Sequence, residues 1–229
     1  YFPMLLNEKC GIFGIYGHEQ DAAKLTYYGL YSLQHRGQEN TGIAVSNGKN
    51  ISCYKKPGLV AHVYDESILK KLKGNIAIGH NRYSTFGKGQ IDHSQPVYNN
   101  QNIVALAHNG NLPVVTKLKK YLKDKGYSVN GLNDSEMMLR AIKYNLVKGK
   151  TLQQSLSICF PLFTGAFSIL VMTKKELAAA RDPFGIRPLV IGKINGSYIF
   201  ASETCALDTI GATYVRDVNP GEIVLINKD

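Results

Sequence analysis

A mixed α+β fold, with sheets covered by helices, follows from three features of this 229-residue chain. Short β-rich runs bounded by turn residues occupy its beginning and its last third. Two amphipathic helical stretches lie between them. No boundary splits the chain, which is long enough to bury a substantial core. Layering helices on sheets is the assembly that hides the apolar face of both.

Gly11 to Gly17 (GIFGIYG) reads as a short buried strand, after which Asp21 to Gln34 takes helical period through Ala22, Leu25, Gly29 and Leu33. Ile43 to Val45 and Ile51 to Tyr54, separated by Ser46, Asn47 and Gly48, form a predicted hairpin. Asn75 to Tyr83 and Ile103 to His108 are two further apolar strands. Each ends in a polar, Gly-containing segment where side chains can converge. Pro113 suits the first turn of a helix burying Val115, Leu118 and Leu122, and Asp134 a cap for a second helix carrying Met138, Leu139, Ile142 and Leu146. From Gly165 onward the runs AFSILVM, PLVIGKI, SYIFAS and EIVLI alternate with turns at Gly185, Asn195, Gly196, Pro220 and Gly221.

Composition narrows the function classes. With 44% hydrophobic and 19% charged residues, 14 Tyr, 8 Phe and no Trp, the chain is too apolar for disorder. Its net charge of +10 invites a nucleic-acid reading, but the lysines are dispersed. The densest group, Lys117, Lys119, Lys120, Lys123 and Lys125, lies on one predicted helix as a solvated face. No nucleic-acid partner is expected. No apolar run approaches the roughly 18 residues of a spanning helix, so no membrane partner is expected either. Cys10, Cys53, Cys159 and Cys205 form no CxxC pair and no His stands at metal-ligand spacing, so no metal is expected and a reducing cytoplasm fits best.

Cys10 stands out at the mouth of the first strand. A cysteine attacks as thiolate, and a reference pKa of about 8.5 leaves little thiolate at neutral pH without a base. The residue's own α-amino group, with a pKa of about 7.7 to 8.0, supplies one if the chain begins at that cysteine. Residues 1–9 are therefore expected to be a leader, with Met4 to Lys9 a short propeptide. Tyr1 to Pro3 are either an added remnant or part of a longer leader. From residue type alone Cys10 would be a buried structural thiol.

The blocks CGIFGIYG, LQHRGQENTGIAV, IGHNRYSTFG, LAHNGNL, NDSEMM, RDPFGIRPLVIG and FASETCALDTIGA, in this order, resemble the class II glutamine amidotransferase domain of the N-terminal-nucleophile hydrolase kind. Within it they are most similar to the amidophosphoribosyltransferase family, and LNEKC resembles its propeptide-bearing branch. The resemblance spans essentially the whole chain. It implies a four-layer αββα sandwich, a glutaminase domain over residues 10–229, and Cys10 as the mature terminus after autocatalytic removal of the leader. It also implies glutamine as substrate and, as partner, a phosphoribosyltransferase domain that this chain lacks, in a homo-oligomeric full-length protein opening purine biosynthesis.

Site roles carry over residue by residue. The resemblance implies that Arg82 binds the α-carboxylate of glutamine through its planar fork and that Asp134 binds the α-ammonium. Asn109 and Gly110 are implied to form the oxyanion hole, and Arg36 to help position the nucleophile. Tyr83 to Gly87 resembles a loop closing over glutamine, with Gly87 as hinge. No cofactor is expected in this chain. Magnesium and an iron-sulfur cluster would belong to the absent transferase part, because Cys53, Cys159 and Cys205 lack cluster spacing. Bland readings stand beside these: a surface arginine, a helix cap at Asp134, an Asn-Gly turn at residues 109–110. Two rivals stay open. One is another class II amidotransferase, such as glucosamine-6-phosphate synthase, asparagine synthetase or glutamate synthase, the first disfavoured by the absence of Trp. The other is a non-catalytic glutamine-binding domain.

Overall fold

In a computed structural model the described residues are 10–17, 21–83, 94–98 and 103–228. They form two antiparallel sheets packed face to face. The larger sheet holds β1 (Gly11–Tyr16), β2 (Asn40–Ser46), β3 (Ile51–Pro57), β4 (Ile76–Arg82), β9 (Val190–Ile194), β10 (Ser197–Ala201) and β11 (Thr213–Asp217). The smaller sheet holds β5 (Val97–Tyr98), β6 (Val104–Val114), β7 (Thr164–Thr173), β8 (Leu177–Arg181) and β12 (Ile223–Ile226). The strand order is β11-β9-β10-β1-β4-β2-β3 in the larger and β12-β8-β7-β6-β5 in the smaller.

Three apolar layers follow from alternation along the strands. Ile12, Ile76, Ile78, Ala44, Ala105, Ala107 and Leu170 fill the gap between the sheets. The opposite phase of the larger sheet, including Phe13, Ile15, Ile43 and Ala77, packs under α1 (Ala22–Ser32), α2 (Val60–Val63), α3 (Glu66–Lys71) and α7 (Cys205–Ile210). On the smaller sheet, Val104, Leu106 and Phe167 pack under α4 (Thr116–Asp124), α5 (Asp134–Val147) and α6 (Leu152–Cys159). Helices, sheet, sheet, helices: this is the four-layer αββα sandwich the resemblance implies. Helix α1 approaches β1 closely, because a Cβ on Gly29 would lie 2.2 Å from the Phe13 ring.

Several expected elements shift, each for a local reason. Strand β6 does not stop at His108 but continues through HNGNL to Val114, so residues 109–110 lie within a strand and not in an Asn-Gly turn. Pro113 sits beside the register shift between Asn111 and Val114, where no ladder donor is needed, and α4 starts only at Thr116. Helix α5 is capped by Asn133, whose side chain accepts from Glu136 N at 2.9 Å in a reciprocal capping box. Asp134 is its first helical residue, so its carboxylate is not the cap. Strand β8 (LAAAR), strand β11 and helices α2, α3, α6 and α7 are not among the expected elements, although two carry local start signals: Asp65 caps α3, and Thr151 with Gln154 forms a capping box on α6. The α4 lysines are exposed, as the solvated-face reading requires.

Candidate active site

One cross-link between the sheets defines the site. Ile12 of β1 and Gly42 of β2 both pair with His80 of β4, and His80 Nε2 donates to the carbonyl of His108 on β6 at 3.1 Å. Burial pushes the His80 imidazole down to about 3, so the ring is neutral. Cys10, Arg82 and Asn40 each lie two residues beyond this tie on the three neighbouring chains, and Asn109 lies one residue beyond His108. By alternation all four share the phase of the side chains that fill the intersheet gap.

Asn109 is fully buried, and neither atom of its amide meets a hydrogen-bond partner. Such a group demands explanation, since buried polar atoms are nearly always satisfied. Gly110 follows with φ +150°, and a Cβ there would lie 2.1 Å from the Ala166 carbonyl oxygen. Among the described residues, β5 pairs on the outer edge of β6 only with Ala105 and Leu106. Side chains take two amides along that edge: Gln95 Oε1 accepts from His108 N at 2.7 Å, and Asp134 Oδ2 from Leu112 N at 3.1 Å. The amide of Gly110 lies between them in the same two-residue phase.

Asp134 is thus tied to β6 by its side chain. Its Oδ1 accepts from Ser135 N at 2.7 Å, and Oδ2 is 3.8 Å from His108 Nδ1. Ser135 Oγ also meets His108 Nδ1 at 3.0 Å and Gln95 Nε2 at 3.3 Å. Burial lowers the His108 pKa, with nearby Arg187 adding to the effect and Asp134 opposing it. At the other side of the gap, Arg82 ends β4, with Nε 3.5 Å from Glu39 Oε2. Tyr83 is exposed. The rest of the expected closing loop, and the leader, lie outside the described residues.

Arg36 lies behind Cys10. It is buried in the 3₁₀ turn Gln34–Arg36, donates from Nε to the Cys10 carbonyl at 2.9 Å, and pairs with Glu203. Glu203 also accepts from His35 Nε2 at 2.9 Å. Burial pushes the Glu203 carboxyl up, but bonds from Arg36 and His35 outweigh it, and the net shift is downward. Cys205 adds a third ligand-type atom: those of His35, Glu203 and Cys205 lie within 4.8 Å of one another. Sequence spacing hides this grouping, which could hold a cation. Its carboxylate already serves Arg36 and His35.

The remaining thiols behave differently from an attacking group. Desolvation pushes Cys53 up to about 11 and Cys159 up to about 12, so both stay protonated at neutral pH. Two cavities, of about 600 Å³ beside Tyr27, Tyr64 and Lys70 and about 510 Å³ beside Tyr16, Asn75 and Lys174, include none of the expected site residues.

Sequence reasoning missed His80, His108, Gln95, Ser135, Glu203 and Asn40. One signal was present: the doublet His-Asn occurs in both strands that meet, at residues 80–81 and 108–109. The doublets are inverted, His80 facing the gap while Asn81 Nδ2 donates to Leu30 O at 2.7 Å on the helix side. His108 faces helix α5 while Asn109 faces the gap.

Residues 80–209 match the family described as "Glutamine amidotransferase domain". Among curated relatives, amidophosphoribosyltransferase of Bacillus subtilis is 44% identical over 227 residues, covering 98% of this chain and 47% of the relative. That of a Synechocystis species is 46% identical, covering 96% and 46%. A solved structure, glutamine phosphoribosylpyrophosphate amidotransferase from B. subtilis complexed with ADP and GMP, superposes with TM-score 0.85 at 43% identity, covering 96% of this chain and 47% of that one. The chain thus spans about half the length of the curated relatives it matches. The matched family, the likeness of fold and the layered architecture agree: this chain belongs to the glutamine amidotransferase domain family.

Proposed function

We propose that this chain hydrolyses glutamine to glutamate and ammonia with Cys10 as nucleophile, as the glutaminase half of an amidophosphoribosyltransferase. The observation that carries the reading is the buried, unpartnered amide of Asn109, next to Gly110 and on the same gap-facing phase as Cys10 and Arg82. An amide donor held without a partner suits an oxygen that gains charge only during reaction.

With residues before Cys10 removed, its α-amino group accepts the thiol proton and the sulfur attacks glutamine Cδ. Asn109 Nδ2 and Gly110 N–H hold the resulting oxyanion, Arg82 holds the α-carboxylate and Asp134 the α-ammonium. The intermediate collapses as the new ammonium of Cys10 gives its proton to the leaving nitrogen, releasing ammonia. Water then cleaves the thioester, freeing glutamate and restoring the thiol. Arg36 fixes the Cys10 carbonyl and so the direction of its Cα–Cβ bond. Tyr83 begins the closing loop.

In the complete protein the ammonia passes to a phosphoribosyltransferase domain that makes 5-phosphoribosylamine from phosphoribosyl pyrophosphate, the first step of de novo purine biosynthesis. We read the complete protein as homo-oligomeric, with any magnesium or iron-sulfur cluster held in its transferase part. The names and extents of the relatives support this assignment. Four thiols with no disulfide support a reducing cytoplasm. Among the described residues no helix is long and apolar enough to cross a membrane.

N-terminal sequencing coupled to an ammonia-release assay tests the mechanism. Activity is expected only in material that begins at Cys10, and Cys10→Ala should abolish it with the thermal melt preserved. Full activity with the leader attached, or turnover by the alanine variant, refutes the terminal-amine mechanism.

A further inference from the structure

Asn40 opens β2 directly opposite Arg82 of β4. It is 2% exposed, and neither its amide nitrogen nor its amide oxygen meets a partner. A buried primary amide left without hydrogen bonds weakens a fold and is retained where something else benefits from it. Its orientation is set by alternation: Ala44, in the same phase of β2, fills the intersheet gap with its cross-strand partner Ile78. Asn40 and Asn109 are therefore two orphaned amides aimed into one gap from opposite sheets.

Length decides what Asn40 can reach. Cys10, Arg82 and Asn40 form a row across three adjacent chains, and strands lie about 4.8 Å apart. The Asn40 backbone is then about 10 Å from that of Cys10. Four carbon–carbon bonds of about 1.5 Å separate the amide carbon of glutamine from its carboxylate carbon, roughly 5 Å when extended. The thiol at one end and the asparagine side chain at the other span the remainder. A glutamine whose Cδ sits at Cys10 thus presents its α-carboxylate between Arg82 and Asn40. Glu39 already occupies part of the Arg82 guanidinium, so a second donor has room to act.

We propose that Asn40 is a further substrate-binding residue, its Nδ2 donating to the α-carboxylate of glutamine beside Arg82. The assignment rests on the glutaminase reading above for its substrate. An amide with both atoms unsatisfied in the ligand-free site acts through the ligand and contributes nothing to the empty fold.

Steady-state kinetics of the processed full-length protein test this with Asn40→Ala and two substrates, glutamine and glutamine α-amide, whose carboxylate is replaced by a neutral carboxamide. The variant should raise KM for glutamine about tenfold, as expected for a lost hydrogen bond to a charged group, with kcat within about twofold. KM for the α-amide should barely move, and the melting temperature should hold or rise. Asn40→Asp, which sets a like charge against the carboxylate, should raise KM for glutamine further. An unchanged KM, an equal loss for both substrates, or a lowered melting temperature with kcat and KM falling together would each overturn the assignment. Calorimetric titration of glutamine into Cys10→Ala produced without residues 1–9, with and without Asn40→Ala, separates the two readings. Asn40-dependent binding without wild-type hydrolysis removes the glutaminase reading and leaves Asn40 in place, whereas absence of binding to Cys10→Ala removes both.

Discussion

At Gly110 an added methyl group would meet the backbone of β7, 2.1 Å from Ala166 O and 2.8 Å from Phe167 Cα, at a φ that L residues rarely adopt. Backbone strain of that kind alone costs roughly 1 to 3 kcal/mol. Gly110→Ala should therefore lower both melting temperature and turnover. Its neighbour gives the opposite pattern. Asn109→Ala removes an orphaned amide, so thermal denaturation should show an unchanged or raised melting temperature. Its kcat should fall on the order of 10²- to 10³-fold, the usual loss for one oxyanion donor. A parallel fall in stability for Asn109→Ala would mark it as a packing residue.

Helix α5 separates two roles that the sequence superimposes. Asn133 makes the cap, and Asp134, one residue on, reaches the Leu112 amide on β6. Asn133→Ala should cost about 1 kcal/mol of stability, the usual loss for a cap, with KM for glutamine unaffected. Asp134→Asn should chiefly raise KM. Chemical denaturation and steady-state kinetics on the pair check both, and a KM change in the Asn133 variant would unite the roles again. Pairing with β7 through Asn111 and Val114 carries β6 past its predicted end, and on its other edge Gln95 and Asp134 satisfy the amides of His108 and Leu112.

Across the whole sandwich, two imidazoles near the sheet-to-sheet tie are buried, and burial lowers the pKa of each. His80 binds a proton near pH 6.5 when unfolded and only near about 3 when folded. Between these values the unfolded state holds more protons, so stability falls as pH drops through that window and levels off below it. The slope reaches about 1.4 kcal/mol per pH unit for one such group, and His108 shifts in the same direction. Urea midpoints should therefore decline from pH 6.5 to 4. His80→Gln, whose amide can still donate to the His108 carbonyl, should flatten that decline. An identical slope in the variant would place the acid sensitivity elsewhere.

Local pattern alone determined that a strand begins at Gly11, that Ile43 to Val45 and Ile51 to Tyr54 pair as a hairpin, and that Met138, Leu139 and Ile142 face inward, because period and turn residues act within a few positions. The ordered blocks carried the family and, with it, the roles proposed for Cys10, Arg82, Asn109 and Asp134. Only the tertiary structure showed that Asn133 and not Asp134 caps α5, that Glu203 holds Arg36 behind Cys10 across 167 residues of chain, and that Asn40 stands beside Arg82 with nothing to bond. Those facts depend on which strands lie side by side, and strand pairing is set by the burial of whole faces. No short stretch of sequence encodes it.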